Sequence, residues 1–120
     1  MEKLTRQEEK AMQAMWKVEK GFVKAILDAF PGEKPHYNTM ASLIRALEAK
    51  GYIHHKTFGN MYEFYPVISK DEYTSSFLSG FVGNYFESSY KEVVSFFAQE
   101  HKLSLDDLKE IVALIEKQKK

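Results

Sequence analysis

Asn38, Ser42 and Arg45 stand four and three residues apart in the stretch YNTMASLIRALEAKGY. At 100° per residue they line one side of a helix, and Ala49 continues the line. Met40, Leu43, Ile44 and Leu47 take the other side, at the i, i+3, i+4, i+7 spacing of a core-facing stripe. The outer face is therefore thin, with Ala41 beside it. A carboxamide can pair with the major-groove edge of adenine and a guanidinium fork with that of guanine, while small neighbours let the helix backbone come close. Thr39, together with the backbone N–H groups of a first helical turn, suits a phosphate oxygen. These residue types at this spacing point to base-edge reading by a helix. A solvated helix face is the plain alternative, although such faces usually carry more Lys and Glu than this one.

The elements around this helix decide between the two. Asn38 is expected to cap it, and Lys50-Gly51 to end it, because glycine supplies the left-handed residue after a helix. Tyr52–Lys56 and Met61–Tyr65 then alternate as two strands, with Phe58-Gly59-Asn60 as a short connection and Pro66 closing the ribbon. Such a ribbon beside a reading helix lies over flanking backbone, which gives His55, Lys56 and Asn60 a phosphate-contacting role. Tyr37 and Lys34 take that role ahead of the helix. His54-His55 also raises a metal site. Adjacent strand residues point to opposite faces, so the expectation is that the pair does not share one ion.

Upstream, Thr5 and Glu8 form a capping box for a helix over Thr5–Val18, with Ala11, Met12, Met15 and Trp16 on one face. Phe22–Phe30 predicts a second helix, and the segment from Pro31 to Pro35 a loop. Downstream, Ser69 and Glu72 form another capping box. Tyr73, Phe77, Phe81 and Tyr85 then recur every fourth residue, with Gly80 and Gly83 between them. Ser88 or Ser89 starts a fifth helix carrying Val93, Val94, Phe96 and Phe97, and Ser104 a sixth with Leu108, Ile111, Val112 and Ile115. The expected order is three helices, a hairpin and three helices: a mainly α fold with a small β-hairpin. It divides into a winged helix-turn-helix over residues 1–68 and a helical domain over residues 69–120. The second part holds more large apolar side chains than about 50 residues can bury alone, and a second copy of the chain is the simplest cover. Its expected dimer contacts are Tyr73, Phe77, Phe81, Tyr85, Phe96, Phe97, Leu108, Ile111, Val112 and Ile115. A ligand pocket between the aromatic helices is the alternative use of these rings.

Composition bounds the function further. With 120 residues and 44% apolar content, the chain is long enough for one domain of usual size or two very small ones. It has no Cys, hence no disulfide and no thiolate metal site. No apolar run reaches the ~20 residues of a membrane span. The charged start MEKLTRQEEK lacks a signal-peptide core, so a cytoplasmic protein without membrane insertion is expected. Net charge is zero, but residues 1–67 carry eight Lys and two Arg against eight acids, a balance of +2, and residues 68–120 carry −2. That is the sign expected if the first half meets phosphates. No Ser-His-Asp order, glycine-rich phosphate loop or His-Glu-x-x-His occurs, so no enzymatic activity and no cofactor is expected.

Four stretches in order, LTRQEEKAMQAMW, YNTMASLIRALEAKGYI, FGNMYEFYPVISKDEY and LSLDDLKEI, resemble the penicillinase repressor family of bacterial transcription regulators. The resemblance covers nearly the whole chain. It implies an N-terminal winged-helix DNA-binding domain, a C-terminal helical dimerisation domain, and a homodimer repressing a promoter from a palindromic double-stranded operator. It also implies induction by a membrane sensor protease that leads to cleavage at an Asn-Phe bond in the dimerisation domain. The matching bond here is Ser95-Phe96, with Ser where the family pattern has Asn. The Cys-rich metal site of the family's copper-responsive branch has no counterpart in this chain. An interaction module built on a winged helix, or a regulator gated by a small ligand, are the alternatives.

Overall fold

A computed structural model describes residues 2–87, 89–100 and 102–118, with side chains among them except at positions 111, 112 and 114–118. Among the described residues eight elements follow in order: α1 (Arg6–Val18), α2 (Val23–Asp28), α3 (Tyr37–Ala49), β1 (Ile53–Phe58), β2 (Met61–Pro66), α4 (Lys70–Tyr85), α5 (Tyr90–Gln99) and α6 (Leu105–Gln118). The mostly helical architecture with one antiparallel hairpin is that of a winged helix followed by three helices. The chain divides into two compact units, Met1–Ser76 and Phe77–Lys120. Among the described residues no helix is long and apolar enough to cross a membrane.

Caps set the helix starts. Thr5 Oγ1 accepts from Glu8 N at 3.1 Å while Glu8 Oε1 accepts from Thr5 N at 2.9 Å, the reciprocal pair that satisfies two orphan donors. Ser69 and Glu72 repeat it before α4, and Ser104 and Asp107 before α6. Ser89, rather than Ser88, caps α5 by accepting from Glu92 N. Ser88 itself lies outside the described residues. The Ser69 N–H donating to its carboxylate, with the Ser69 side chain beside it, holds the Glu72 carboxyl below the ordinary range. α2 is shorter than the expected Phe22–Phe30, because Phe22 is its extended N-cap and Ala29 its C-cap.

The first unit has one core. Leu4, Ala11, Met12, Ala14, Met15, Ile26, Phe30, Met40, Ile44, Leu47, Tyr52, Ile53 and Phe64 are buried together, so α1, α2, α3 and the base of the hairpin each contribute one apolar face. The Trp16 indole N–H donates to Ile68 O at 2.9 Å, which ties α1 to the segment leaving the hairpin. Tyr73 packs on the Trp16 and Tyr52 rings and donates its hydroxyl to Glu9. Burial and that carboxylate push the Tyr73 phenol well above its usual value. A role in the first unit, not foreseen in the sequence, thus falls to the first aromatic of the α4 series.

α3 ends as its glycine predicts. Gly51 has φ +84°, its N–H donates to Glu48 O, and the Tyr52 N–H donates to Leu47 O, both at 3.0 Å. This is a full Schellman arrangement, with the buried Leu47 and Tyr52 as its apolar accompaniment. A Cβ at position 51 meets no atom within 4 Å, so the cost of Gly51→Ala is backbone strain alone. It is expected at about 1–2 kcal/mol. A lower urea midpoint with an unchanged slope would show it.

Candidate nucleic-acid interface

The two faces of α3 differ in what they touch. Met40, Ile44 and Leu47 are buried, and Leu43 packs against the same core. Tyr37, Asn38, Thr39, Ser42, Arg45 and Ala49 are exposed, and Ala41 and Ala46 sit half-buried at the seams. Among the described residues no hydrogen bond or ion pair engages the Arg45 guanidinium. Five donors in a rigid fork thus stand in solvent near the middle of a helix whose flanking side chains are short.

The start of the helix departs from the sequence expectation. His36, not Asn38, is the N-cap: its backbone is extended (φ −65°, ψ 155°) and its carbonyl accepts from Met40 N at 2.9 Å. Asn38 is already helical, so its amide is not spent on capping. The His36 side chain makes no cap hydrogen bond. The N–H groups of the first turn, which have no partner within a helix, therefore point outward beside Tyr37, Asn38 and Thr39.

Gly21 exchanges both backbone hydrogen bonds with Phe64, at 2.9 and 2.8 Å, and so adds a one-residue strand to β2. Nothing in the sequence marked this pairing, because a single bridged residue carries no periodicity. It anchors the ribbon to the α1–α2 connection. β1 and β2 pair from Ile53↔Pro66 to Phe58↔Met61, so the strands run longer than expected and the loop is Gly59-Asn60 alone. Gly59 has φ +61°, the conformation a two-residue hairpin loop asks of its first position. Lys56 and Asn60 are exposed on the ribbon, with Lys56 Nζ 6.0 Å from the Tyr65 ring centre.

His55 is placed differently from the sequence reading. Its Nδ1 lies 2.5 Å from Glu48 Oε2, and its ring stacks on Tyr62 with centroids 4.2 Å apart. His54 Nδ1 lies 3.2 Å from the same oxygen. Although neighbouring strand residues start on opposite faces of the pleat, both imidazoles thus reach one carboxylate oxygen. Among the described residues β1 pairs with β2 alone, and the Glu48 side chain, from the last turn of α3, brings one carboxylate oxygen within reach of both imidazoles. Glu48 is the sole acid of α3, and this contact occupies it.

In the second unit, Phe77, Tyr85, Phe96 and Phe97 are exposed, Tyr85 to 73%. Phe81 is half-buried against Tyr85 and Phe86, and Phe86 packs edge-on to Phe96. Leu108 is half-buried. The side chains of Ile111, Val112 and Ile115 lie outside the described residues. Ser95-Phe96 sits inside α5, where Phe96 O accepts from Glu100 N at 3.1 Å.

Residues 4–117 match the family model described as Penicillinase repressor. No curated protein matches the chain.

Proposed function

Because the chain belongs to the penicillinase repressor family, we propose that it is a transcriptional repressor that binds a palindromic DNA operator as a homodimer. The family's description is that of a regulator, and no catalytic step is part of this reading. The observation that carries it is the outer face of α3, where exposed Asn38, Ser42 and Arg45 are flanked by small residues and Arg45 is uncommitted among the described residues. Each subunit lays this face in a major groove, with Arg45 on a guanine and Asn38 on an adenine. The uncapped first turn, with Tyr37 and Thr39, meets phosphate there, as do Lys56 and Asn60 on the ribbon. His55 has a smaller share in DNA contact, since Glu48 holds it. Two half-sites lie about 10 base pairs, or a multiple, apart.

Selection of bound duplexes from a random pool tests this, followed by titration of the selected site with two variants. Arg45→Ala should weaken it by about 1–3 kcal/mol and relax preference at one base pair. Lys56→Ala should weaken all duplexes alike and reduce the salt slope by about one unit. A pool that yields no selected, salt-sensitive site ends the proposal. It would favour the second reading, an interaction module, which the exposed Phe58, Met61 and Tyr62 near the hairpin tip support.

The dimer half of the proposal rests on Phe77, Leu78, Tyr85 and Phe96, each about half exposed or more. A second copy covering these side chains removes apolar surface from water on both sides. We place the functional boundary of this reading near residue 68, where the ribbon ends, although the start of α4 through Ser76 belongs to the first compact unit. Phe96→Glu is expected to turn the dimer into a monomer in sedimentation at micromolar concentration, and an unchanged mass would move the interface elsewhere. Cleavage at Ser95-Phe96 would require local opening of α5, because proteolytic cutting favours exposed loops over intact helices.

A further inference from the structure

We propose that Glu48, His54 and His55 form a binding site for one divalent transition-metal ion of the Zn2+ type. Glu48 Oε2 lies 2.5 Å from His55 Nδ1 and 3.2 Å from His54 Nδ1. One ligand atom from each residue falls within 4.8 Å of the other two, and this is the only such group of three or more among the described residues. Two imidazole nitrogens and a carboxylate oxygen are a donor set that zinc accepts in tetrahedral sites, with the fourth position left to water. Ligand atoms at ~2.0–2.1 Å from zinc are separated by about 3.3 Å along a tetrahedral edge. The two carboxylate–imidazole separations, 2.5 and 3.2 Å, fall short of that edge or match it, and all three ligand atoms lie within 4.8 Å of one another, so side-chain rotations that part Glu48 from His55 seat an ion between them. The same donor set disfavours the alternatives. Calcium asks for six or more oxygens. Monovalent copper asks for sulfur, which the chain offers only in its methionines.

The surroundings prepare the site. Stacking on Tyr62 and an edge contact to Phe64 fix the His55 ring, as outer partners fix a metal-bound imidazole. Glu48 is held at the last turn of α3, three residues before the Gly51 turn. The His54 side chain is 61% exposed, so an ion enters without opening the core. With the ion absent, the Glu48 carboxylate accepts hydrogen bonds from both rings, and the three groups stay together at no cost in unpaired polar atoms. Occupancy would tie the end of α3 to the first strand of the ribbon, the two elements whose mutual angle sets how helix and hairpin meet a surface. The proposal is independent of DNA binding.

The test is calorimetric titration of the full metal-free chain with Zn2+ alone near neutral pH. It is repeated on His54→Gln and Glu48→Gln, each checked for native circular dichroism. One ion per chain is expected, with affinity falling about tenfold or more in each variant, the scale on which even outer-shell losses are felt. His54→Gln alters an exposed side chain and keeps the test open should Glu48→Gln fold poorly. Co2+ in place of Zn2+ should give the visible absorption of a four-coordinate site, lost in His54→Gln. Absence of stoichiometric binding overturns the proposal. So does binding that is unchanged in His54→Gln, which would place the ion on other residues.

Discussion

Ile44→Ala is expected to destabilise the protein by about 2–5 kcal/mol, the range for deleting a large aliphatic side chain from a packed core. Ile44 is 1% exposed and sits among Met40, Leu47 and the α1 methionines. The helix cannot move inward to fill the space, because the Gly51 turn fixes one end and the hairpin base follows directly. Denaturant unfolding would measure the loss. The neighbouring Arg45→Ala should change stability by less than about 0.5 kcal/mol, since its side chain is exposed and has no partner among the described residues to orphan. One residue step thus separates a position that sets stability from one proposed to read DNA. Similar destabilisation by both substitutions would mean that Arg45 is packed and that the outer face of α3 is misassigned.

Glu8→Ala is the second large effect, expected at about 2–3 kcal/mol. Glu8 Oε1 receives Lys50 Nζ at 2.6 Å as well as the Thr5 N–H, and the two side chains are only 9% and 19% exposed. Removing one partner of a fully buried pair costs roughly 3–5 kcal/mol. The smaller figure applies because Lys50 can turn partly to water and keeps a second bond to Lys3 O at 3.0 Å. Glu8→Gln separates the contributions, since the amide oxygen can still accept from Thr5 in the capping box while the charge is gone.

Acid should reveal the same pair. Burial pushes the Glu8 carboxyl up, but the hydrogen bonds from Lys50 and Thr5 and the Lys50 charge outweigh it. The carboxyl is held below its ordinary 4.5. The unfolded chain therefore binds the proton first as pH falls. The contribution of Glu8 is complete above about pH 4.5 and is lost as pH drops through the lower folded value. The stability gap between the native chain and Glu8→Gln should be flat at neutral pH and close below that point. A gap that stayed constant into acid would mean that the charge of Glu8 has no part in it.

What the sequence by itself determined is the set of features whose cause lies within one or two helical turns. The capping boxes at Thr5 and Ser69 are four-residue patterns, and both form, as does the helix start expected at Ser104. The period of Met40, Leu43, Ile44 and Leu47 places Arg45 and Ser42 outward before any partner is known. Gly51 announces the helix end because no other residue takes φ +84° as readily. The rest was decided by contacts between residues far apart in the chain, which no local pattern encodes. Lys50 meets Glu8 across 42 positions, Trp16 reaches Ile68 O across 52, and Gly21 pairs with Phe64. The cap of α3 moved to His36, although Asn38 is the better capping residue by type. His54 and His55 converge on Glu48 although the pleat separates them, because the end of α3 brings one carboxylate within reach of both rings. Periodicity tells which way a side chain points from its own element; only the packing of the elements tells what it finds there.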